Sequence, residues 1–155
     1  MTNRALVRKA VLNDAQAIHD ILEAFASKGI MLKRPLTEIY SCLRDFFVYE
    51  DKGEVVGISA LSIYGDGIGE IRSLGVRQGH TGKGIGRGLV EACLNEARSI
   101  GLKKVFALTY KVEFFQRLNF RTIKKDDLPQ KIWGDCIKCL KFPNCDETAV
   151  IIELK

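Results

Sequence analysis

A chain of 155 residues has the length of one ordinary domain and can bury a hydrophobic core. Its residues are 46% hydrophobic and 28% charged, and no segment approaches the roughly 18 consecutive apolar residues that a membrane span requires. The formal net charge of +5 is interpreted as a solvated basic surface, with a polyanionic ligand as the alternative. Because no nucleic-acid motif or concentrated basic run occurs, we expect no nucleic-acid partner. Because no apolar span occurs, we expect no membrane partner.

The N-terminal stretch "MTNRALVRKAV" lacks the apolar region of a signal peptide, so we expect a cytoplasmic protein. The chain has five cysteines, an odd number. Without an export signal, that number favours free thiols or a metal site over a disulfide framework.

The first half of the chain predicts two helices and four strands. "LVRKAV" alternates as a strand does, and "NDAQAIHDILEAFASKG" has helical apolar spacing, with Asn13 as N-cap and Gln16 completing a capping box. "TEIYSCLRD" predicts a short second helix. Three strands follow within "FFVYEDKGEVVGISALSIYGDGIGEIRSLGV", separated by turns at residues 51–53 and 65–67.

The second half alternates helices with strands. A helix follows the glycine-rich stretch and ends before Gly101, and then come a strand "KKVFALTY", a short helix "EFFQRL" and a strand "FRTIKK". A long loop, "DDLPQKIWGDCIKCLKFPNCDE", precedes the last strand, "TAVIIELK". With no repeat and no linker, this order predicts one mixed α/β domain over residues 1–155.

The stretch "VRQGHTGKGIGRGLV" is dense in glycine between a strand and a helix. Its glycines are Gly79, Gly82, Gly84, Gly86 and Gly88. A strand that leads through a glycine loop into a helix N-terminus is typical of phosphate binding, and a turn without a ligand is the alternative. The spacing excludes both a P-loop and a dinucleotide fingerprint, whose third glycine would fall on Arg87 or Leu89.

Residues 81–86, Thr81-Gly82-Lys83-Gly84-Ile85-Gly86, resemble the pyrophosphate loop of the GNAT N-acetyltransferase superfamily. The family pattern is Arg/Gln-x-x-Gly-x-Gly/Ala, and Thr81 is the one departure. The resemblance implies an α/β (α+β) fold with a mixed, mostly antiparallel central sheet flanked by helices. It also implies that acetyl-CoA is the cosubstrate, bound by these residues.

Four further stretches, "RDFFVYED", "GEIRSLGV", "FALTYKVEFFQRLNF" and "IWGDCIKCLKFPNCDETAV", resemble the acetyltransferase domain of short, free-standing N-acetylglutamate synthases. This resemblance implies acetylation of the α-amino group of L-glutamate, the first step of arginine biosynthesis, and by analogy a homodimer. Two alternatives stay open, because a fold does not fix an acceptor. One is another acceptor, such as a different amino acid, a polyamine or a protein amine, and the other is a non-catalytic CoA-binding regulatory protein.

An amine attacks a thioester only when neutral, so the reaction needs a base. Glu70 matches the family's glutamate in "EIRSL" and is the expected general base, although an ion pair with Arg72 on the same strand face is the alternative. By the same resemblance, the backbone N–H of Leu74 or Val76 polarises the thioester carbonyl.

The tyrosine that many superfamily members use to protonate the thiolate is replaced here by Phe115. Thr109, Tyr110 or water could supply this proton, or the thiolate could leave unassisted. Of the side chains, we favour Thr109. Asn119 replaces a customary glycine and can adopt a positive φ.

Glutamate carries two carboxylates, so its site needs cations, and arginine binds carboxylates through a planar fork. Lys33 and Arg34 in "GIMLKRPL" are the expected carboxylate ligands, with a solvated basic turn as the alternative. Ser73, with Arg72 beside it, is expected to line the same site.

Three cysteines, Cys136, Cys139 and Cys145, lie in the long loop. Cys-x-x-Cys is half of a zinc knuckle, but the sequence shows no obvious fourth ligand. We interpret the segment as a thiol-bearing loop over the substrate end of the site, anchored by Trp133 and Phe142. A structural zinc site and a redox pair remain alternatives, and no metal is expected to be required for catalysis.

Overall fold

The computed structural model of the protein describes residues 6–65, 67–128 and 147–155. The helices and strands are, in chain order, β1 (Leu6–Lys9), α1 (Ala15–Ala26), α2 (Leu36–Ser41), β2 (Phe46–Asp51), β3 (Glu54–Ile63), β4 (Ile68–Val76), α3 (Ile85–Ser99), β5 (Lys104–Thr109), α4 (Val112–Gln116), β6 (Arg121–Ile123) and β7 (Thr148–Glu153). None of the helices in these ranges is long and apolar enough to cross a membrane.

The strands of the described residues form one seven-stranded sheet in the order β1-β2-β3-β4-β5-β7-β6. Strand β4 pairs with β5 in parallel, whereas β1–β2, β2–β3, β5–β7 and β6–β7 are antiparallel. The expected mixed, mostly antiparallel sheet is therefore confirmed, and so is the predicted run of three successive strands.

The predicted start of the first helix is wrong by one residue. A 3-10 turn at Leu12–Asp14 comes first, and α1 begins at Ala15. Asp14, and not Asn13, is the N-cap residue of α1, but its side chain makes no capping bond to that helix; its Oδ2 instead accepts the N–H of Val11 at 2.7 Å across the 3-10 turn. Gln16 does not complete a capping box, since its amide donates to Asp20 at 2.9 Å.

The described residues group into two compact units, one with the residues up to Leu61 and Ser73–Glu96, the other with Ser62–Arg72 and Ala97–Lys155. In the first unit, helix α1 buries the 3.6-residue stripe that its sequence predicts. The core of this unit includes Ile18, Ile21, Leu22, Ile39, Phe46, Val48 and Ile58. Gly57 lets α3 approach β3, because a Cβ there would lie 3.0 Å from Ile85 Cγ2 and from Leu89 Cδ1.

The second unit is built around β5, β7 and β6. Its apolar cluster joins Phe106, Leu128, Ala149 and Ile151, with Tyr64, Ile68, Leu108 and Ile123 against it. Phe115 on α4 makes edge-on contacts with Phe114 at 5.1 Å and Phe120 at 5.0 Å between ring centroids. The position of the missing tyrosine is thus filled by a packed aromatic ring.

Candidate active site

The loop between β4 and α3 contains three glycines in the left-handed region. Gly79, Gly82 and Gly84 have φ angles of +91°, +79° and +79°. A Cβ at any of the three would meet nothing within 4 Å. These glycines are therefore required by backbone conformation and not by crowding, and the loop presents an open, exposed face of backbone.

Helix α3 begins directly at the end of this loop. The N–H of Gly88 donates to the carbonyl of Gly84 at 3.0 Å, which starts the helical ladder. The N–H groups of Ile85, Gly86 and Arg87 precede that bond and sit at the positive end of the helix dipole. Such a loop and helix start can bind a pyrophosphate through backbone N–H groups.

The start of the loop is held by β3. The N–H of Arg77 donates to the carbonyl of Val56 at 2.7 Å, and the Arg77 Nε donates to the carbonyl of Val55 at 2.9 Å. The N–H of His80 then closes a turn onto the carbonyl of Arg77 at 3.0 Å. These three bonds fix where the glycine segment leaves the sheet.

Strand β4 departs from regular geometry just before the loop. Ser73 has a φ of +57°, a conformation that residues other than glycine rarely adopt. Two residues later, a Cβ at Gly75 would lie 2.6 Å from Phe25 Cε2. Leu74 and Val76, the residues with the predicted carbonyl-binding N–H groups, flank this crowded glycine.

Glu70 is buried, with 8% of its surface exposed. The hydroxyl of Tyr64 donates to Glu70 Oε1 at 3.0 Å, and Arg72 Nη1 donates to the same Tyr64 oxygen at 3.5 Å. Glu70 and Arg72 are therefore linked through the Tyr64 hydroxyl, which the alternative of an ion pair between the two charges did not include.

Tyr64 is a residue of the candidate site that sequence reasoning missed. The predicted turn at residues 65–67 is the sequence feature that could have found it, because the turn places Tyr64 beside β4. The N–H of Tyr64 donates to the carbonyl of Ile68 at 2.9 Å across the hairpin that joins β3 to β4. Glu70 lies two residues beyond Ile68 and so shares its face of the strand. Glu70 is therefore the diagonal neighbour of Tyr64 across the hairpin, and a tyrosine side chain is long enough to reach such a neighbour.

Thr109 lies at the end of β5 and is 7% exposed. Its Oγ1 accepts the N–H of Lys111 at 2.7 Å, so the oxygen closes the turn into α4. Tyr110 is 41% exposed. Asn119 has a φ of +74°, which confirms the prediction made from its replacement of glycine.

The structure distinguishes the two predicted carboxylate ligands that precede α2. Arg34 is 7% exposed, and its Nη1 lies 3.0 Å from Glu38 Oε2. The Lys33 side chain is 76% exposed, with its Nζ 3.6 Å from Glu23 Oε1. Arg34 is therefore the buried, ion-paired cation of this segment, whereas the Lys33 side chain is largely exposed to solvent.

Cys136, Cys139, Cys145, Trp133 and Phe142 lie outside the described residues, so their roles stay predictions. Within the described ranges, no group of three or more His, Cys, Asp or Glu side chains could hold a metal ion.

The two remaining cysteines, Cys42 and Cys93, fall on the faces of predicted helices, and this pattern predicts that both are core residues. Cys93 is fully buried, with its Sγ 3.3 Å from Ser59 Oγ, and burial raises the pKa of its thiol to about 12. Cys42 is half-buried, and its thiol donates to the carbonyl of Glu38 at 3.1 Å. The prediction is therefore confirmed for Cys93, whereas Cys42 only borders the core.

The chain is similar to several known proteins. A profile of the acetyltransferase (GNAT) family matches residues 15–120. An uncharacterized N-acetyltransferase of Chlorobaculum tepidum is 46% identical over 145 residues, which cover 94% of each chain. An amino-acid acetyltransferase of Mycobacterium tuberculosis is 35% identical over 135 residues, which cover 85% of this chain and 77% of the relative.

Solved structures agree with the sequence comparison. A Mycobacterium tuberculosis protein in complex with CoA has a TM-score of 0.84 at 29% identity, over 97% of this chain and 99% of its own. N-acetylglutamate synthase of Neisseria gonorrhoeae, complexed with coenzyme A and N-acetyl-glutamate, has a TM-score of 0.89 over 100% of this chain and 36% of its own. At 24% identity, the likeness to the second protein concerns the fold.

Proposed function

The chain belongs to the acetyltransferase (GNAT) family, and on this premise we propose that it acetylates the α-amino group of L-glutamate. The coarser activity, acetyl-CoA-dependent N-acetyl transfer, follows from the family. The observation that carries the acceptor is the 35% identity to an amino-acid acetyltransferase over 85% of the chain. The proposal includes a place in arginine biosynthesis, a cytoplasmic location and action of residues 1–155 as one catalytic domain.

The glycine loop has the properties that a CoA pyrophosphate needs. Its left-handed glycines leave open space on the backbone, and its first helical N–H groups lie at a helix start. We assign the backbone of residues 82–86, the Thr81 hydroxyl and the Lys83 ammonium to pyrophosphate binding. Bound acetyl-CoA supplies the acetyl thioester, and the remaining chemistry is done by side chains and backbone of this chain.

Glu70 acts as the base in this proposal. Its carboxylate takes one proton from the substrate ammonium, and the neutral amine then attacks the acetyl carbonyl carbon. The N–H groups of Leu74 and Val76 stabilise the negative charge that develops on the carbonyl oxygen. As the new carbon–nitrogen bond forms, the carbon–sulfur bond breaks.

The proton balance closes with one proton released. The nitrogen loses a second proton, and the departing sulfur gains one, relayed by water or by the Thr109 hydroxyl. Glu70 then returns its own proton to solvent. The Thr109 oxygen already accepts the N–H of Lys111, so its O–H hydrogen is available to such a relay.

Arg34 is assigned to the substrate carboxylate, because it is a buried guanidinium, ion-paired with Glu38, on the segment before α2. Its planar fork suits a carboxylate better than the solvated ammonium of Lys33 does. Lys33, Arg72 and Ser73 complete the proposed substrate-binding set.

The acceptor is tested by comparing kcat/KM for L-glutamate, glutamine, aspartate, lysine and spermidine, measured as thiol release from acetyl-CoA. We expect a clear preference for glutamate. A preference for another amine would keep the acetyltransferase and overturn its acceptor, a result compatible with the 46% identical relative, whose name specifies none. Binding of acetyl-CoA without transfer to any acceptor would favour a regulatory CoA-binding protein.

A further inference from the structure

Tyr64 occupies a position between a buried carboxylate and a guanidinium. Its hydroxyl donates to Glu70 Oε1 at 3.0 Å and accepts from Arg72 Nη1 at 3.5 Å. A hydroxyl that receives a bond from a cation while it donates to an anion is polarised in the direction that strengthens its donation.

The fold holds this hydroxyl in place. The Tyr64 N–H is bonded to the carbonyl of Ile68, so the backbone is fixed at the hairpin. The ring packs on Phe106 with centroids 6.0 Å apart at an interplanar angle of 44°. Phe106 is in turn the β5 residue that pairs with Glu70 in the parallel ladder. Ring and carboxylate are thus positioned by the same strand.

We propose that Tyr64 is a positioning residue for Glu70, which orients the carboxylate and favours its ionised, proton-accepting form. This proposal rests on the function assigned above, in which Glu70 is the base. A hydrogen bond donated to the charged form of a carboxyl group lowers its pKa, so the base stays ionised at a lower pH.

Among the residues that the structure describes, the surroundings of the pair are mainly apolar. Leu108, Leu128 and Ile151 belong to the cluster that Tyr64 joins. The charged residues of β5, β6 and β7, and of a 3-10 turn at Lys125–Asp127, lie at the surface or partly so. The exposed ones are Lys104, Arg121, Asp126, Asp127 and Glu153, and Lys125 is half-buried. Two charged groups of the described residues are bonded to the Tyr64 hydroxyl, the Glu70 carboxylate and the Arg72 guanidinium.

The test is the pH dependence of kcat/KM for Tyr64→Phe. Phenylalanine keeps the ring on Phe106 and removes only the hydroxyl. Loss of the donor raises the pKa of the Glu70 carboxyl, so the acid limb of the profile moves to higher pH by about one unit. At pH values below the acid limb, kcat/KM of the variant is then about tenfold lower than that of the wild type. At pH values above the limb, it approaches the wild-type value.

Tyr49→Phe is the matched control, because Tyr49 is a half-buried tyrosine on β2 in the other unit. We expect its profile to coincide with that of the wild type. Equal acid limbs in Tyr64→Phe and wild type would overturn the proposal. A loss of rate by the same factor at every pH would also overturn it, since that describes a structural role only.

Glu70→Gln separates the failure of this inference from that of the proposed function. If Glu70→Gln removes the acid limb and most of the rate while Tyr64→Phe matches the wild type, Glu70 is the base and Tyr64 does not position it. If Glu70→Gln retains the wild-type rate and limb, the assignment of the base is wrong, and the inference about Tyr64 fails with it. In the Glu70→Gln background, the added Tyr64→Phe change is expected to produce no limb shift.

Discussion

Gly75 lies so close to Phe25 that a Cβ on the glycine would be 2.6 Å from Phe25 Cε2. Met31 Cε would be 3.2 Å from the same point. Helix α1 and the segment after it therefore contact β4 directly at the residue between Leu74 and Val76. The Phe25 ring thus packs against the strand at the residue between Leu74 and Val76, whose N–H groups we assign to the thioester carbonyl.

Gly75→Ala is expected to destabilise the protein by about 1–3 kcal/mol, because the methyl group overpacks the contact with Phe25. It should also raise the KM for acetyl-CoA, since the strand moves away from α1. Urea unfolding and initial rates measure the two effects. Combination with Phe25→Leu should restore part of the stability.

Gly88→Ala is the control for this change. Its Cβ would lie 3.5 Å from Val7 Cγ2, an ordinary contact, and the site is helical. Alanine should therefore stabilise α3 by up to about 1 kcal/mol and leave the KM for acetyl-CoA unchanged. A stabilised Gly75→Ala protein would contradict the steric account.

The loop glycines give a second prediction. Gly82→Ala and Gly84→Ala should each cost about 1–2 kcal/mol of stability, because alanine is strained at a φ of +79°. Both should also weaken acetyl-CoA binding, measured by titration calorimetry. Gly79→Ala, at a φ of +91° but outside the proposed binding residues, should lose similar stability without the loss of affinity. Equal loss of affinity in all three variants would refute the assignment to residues 82–86.

Arg34→Ala is expected to raise the glutamate KM by about 10- to 100-fold, because the variant removes a hydrogen bond between charged groups. The KM for acetyl-CoA should change little. Arg34→Lys should rescue only part of the loss, since an ammonium lacks the bidentate fork. Lys33→Ala should have the smaller effect, given its solvated side chain. An unchanged glutamate KM in Arg34→Ala would show that another residue binds the carboxylate.

The lowered pKa of the Asp14 carboxyl predicts that the protein loses stability at acid pH. Burial opposes ionisation of its carboxyl, but hydrogen bonds from Arg8 and from the Val11 N–H outweigh burial and lower the pKa from its ordinary 3.8. A lowered pKa gives stabilisation that is fully present above pH 3.8 and is lost as the pH falls through the folded-state value.

Asp14→Asn should therefore reduce the free energy of unfolding by about 1–3 kcal/mol at pH 7, with a smaller difference from wild type below about pH 4. Denaturant unfolding at several pH values measures this. Glu50→Gln, which alters the more exposed partner of Arg8, should have the weaker effect. A difference that does not depend on pH would exclude the carboxylate charge as its cause.

The strands and the helix next to the glycine loop could be predicted from the sequence, because each has a signal within its own segment. These signals are the alternation of apolar residues in the strands, the glycines at the turns and the apolar stripe of the helix. The start of α1 could not be predicted in this way, because the Asp14 side chain that precedes the helix is bound by Arg8 on β1 at 2.7 Å, a contact between two segments.

The site residues show the same division. Glu70 could be proposed from its strand position and its resemblance, both of which are local. Its partner Tyr64 depends on the register of a hairpin, and the burial of Arg34 depends on tertiary packing. Neither property is encoded in the spacing of one segment.

The most direct test of the account is identification of the product formed from acetyl-CoA and ¹⁵N-labelled L-glutamate. We predict N-acetylglutamate, detected by mass spectrometry, in equal amount to the CoA thiol released, with both reduced together in Glu70→Gln. Thiol release with unmodified glutamate, or no thiol release while acetyl-CoA binds, would contradict acetyl transfer to glutamate by this protein.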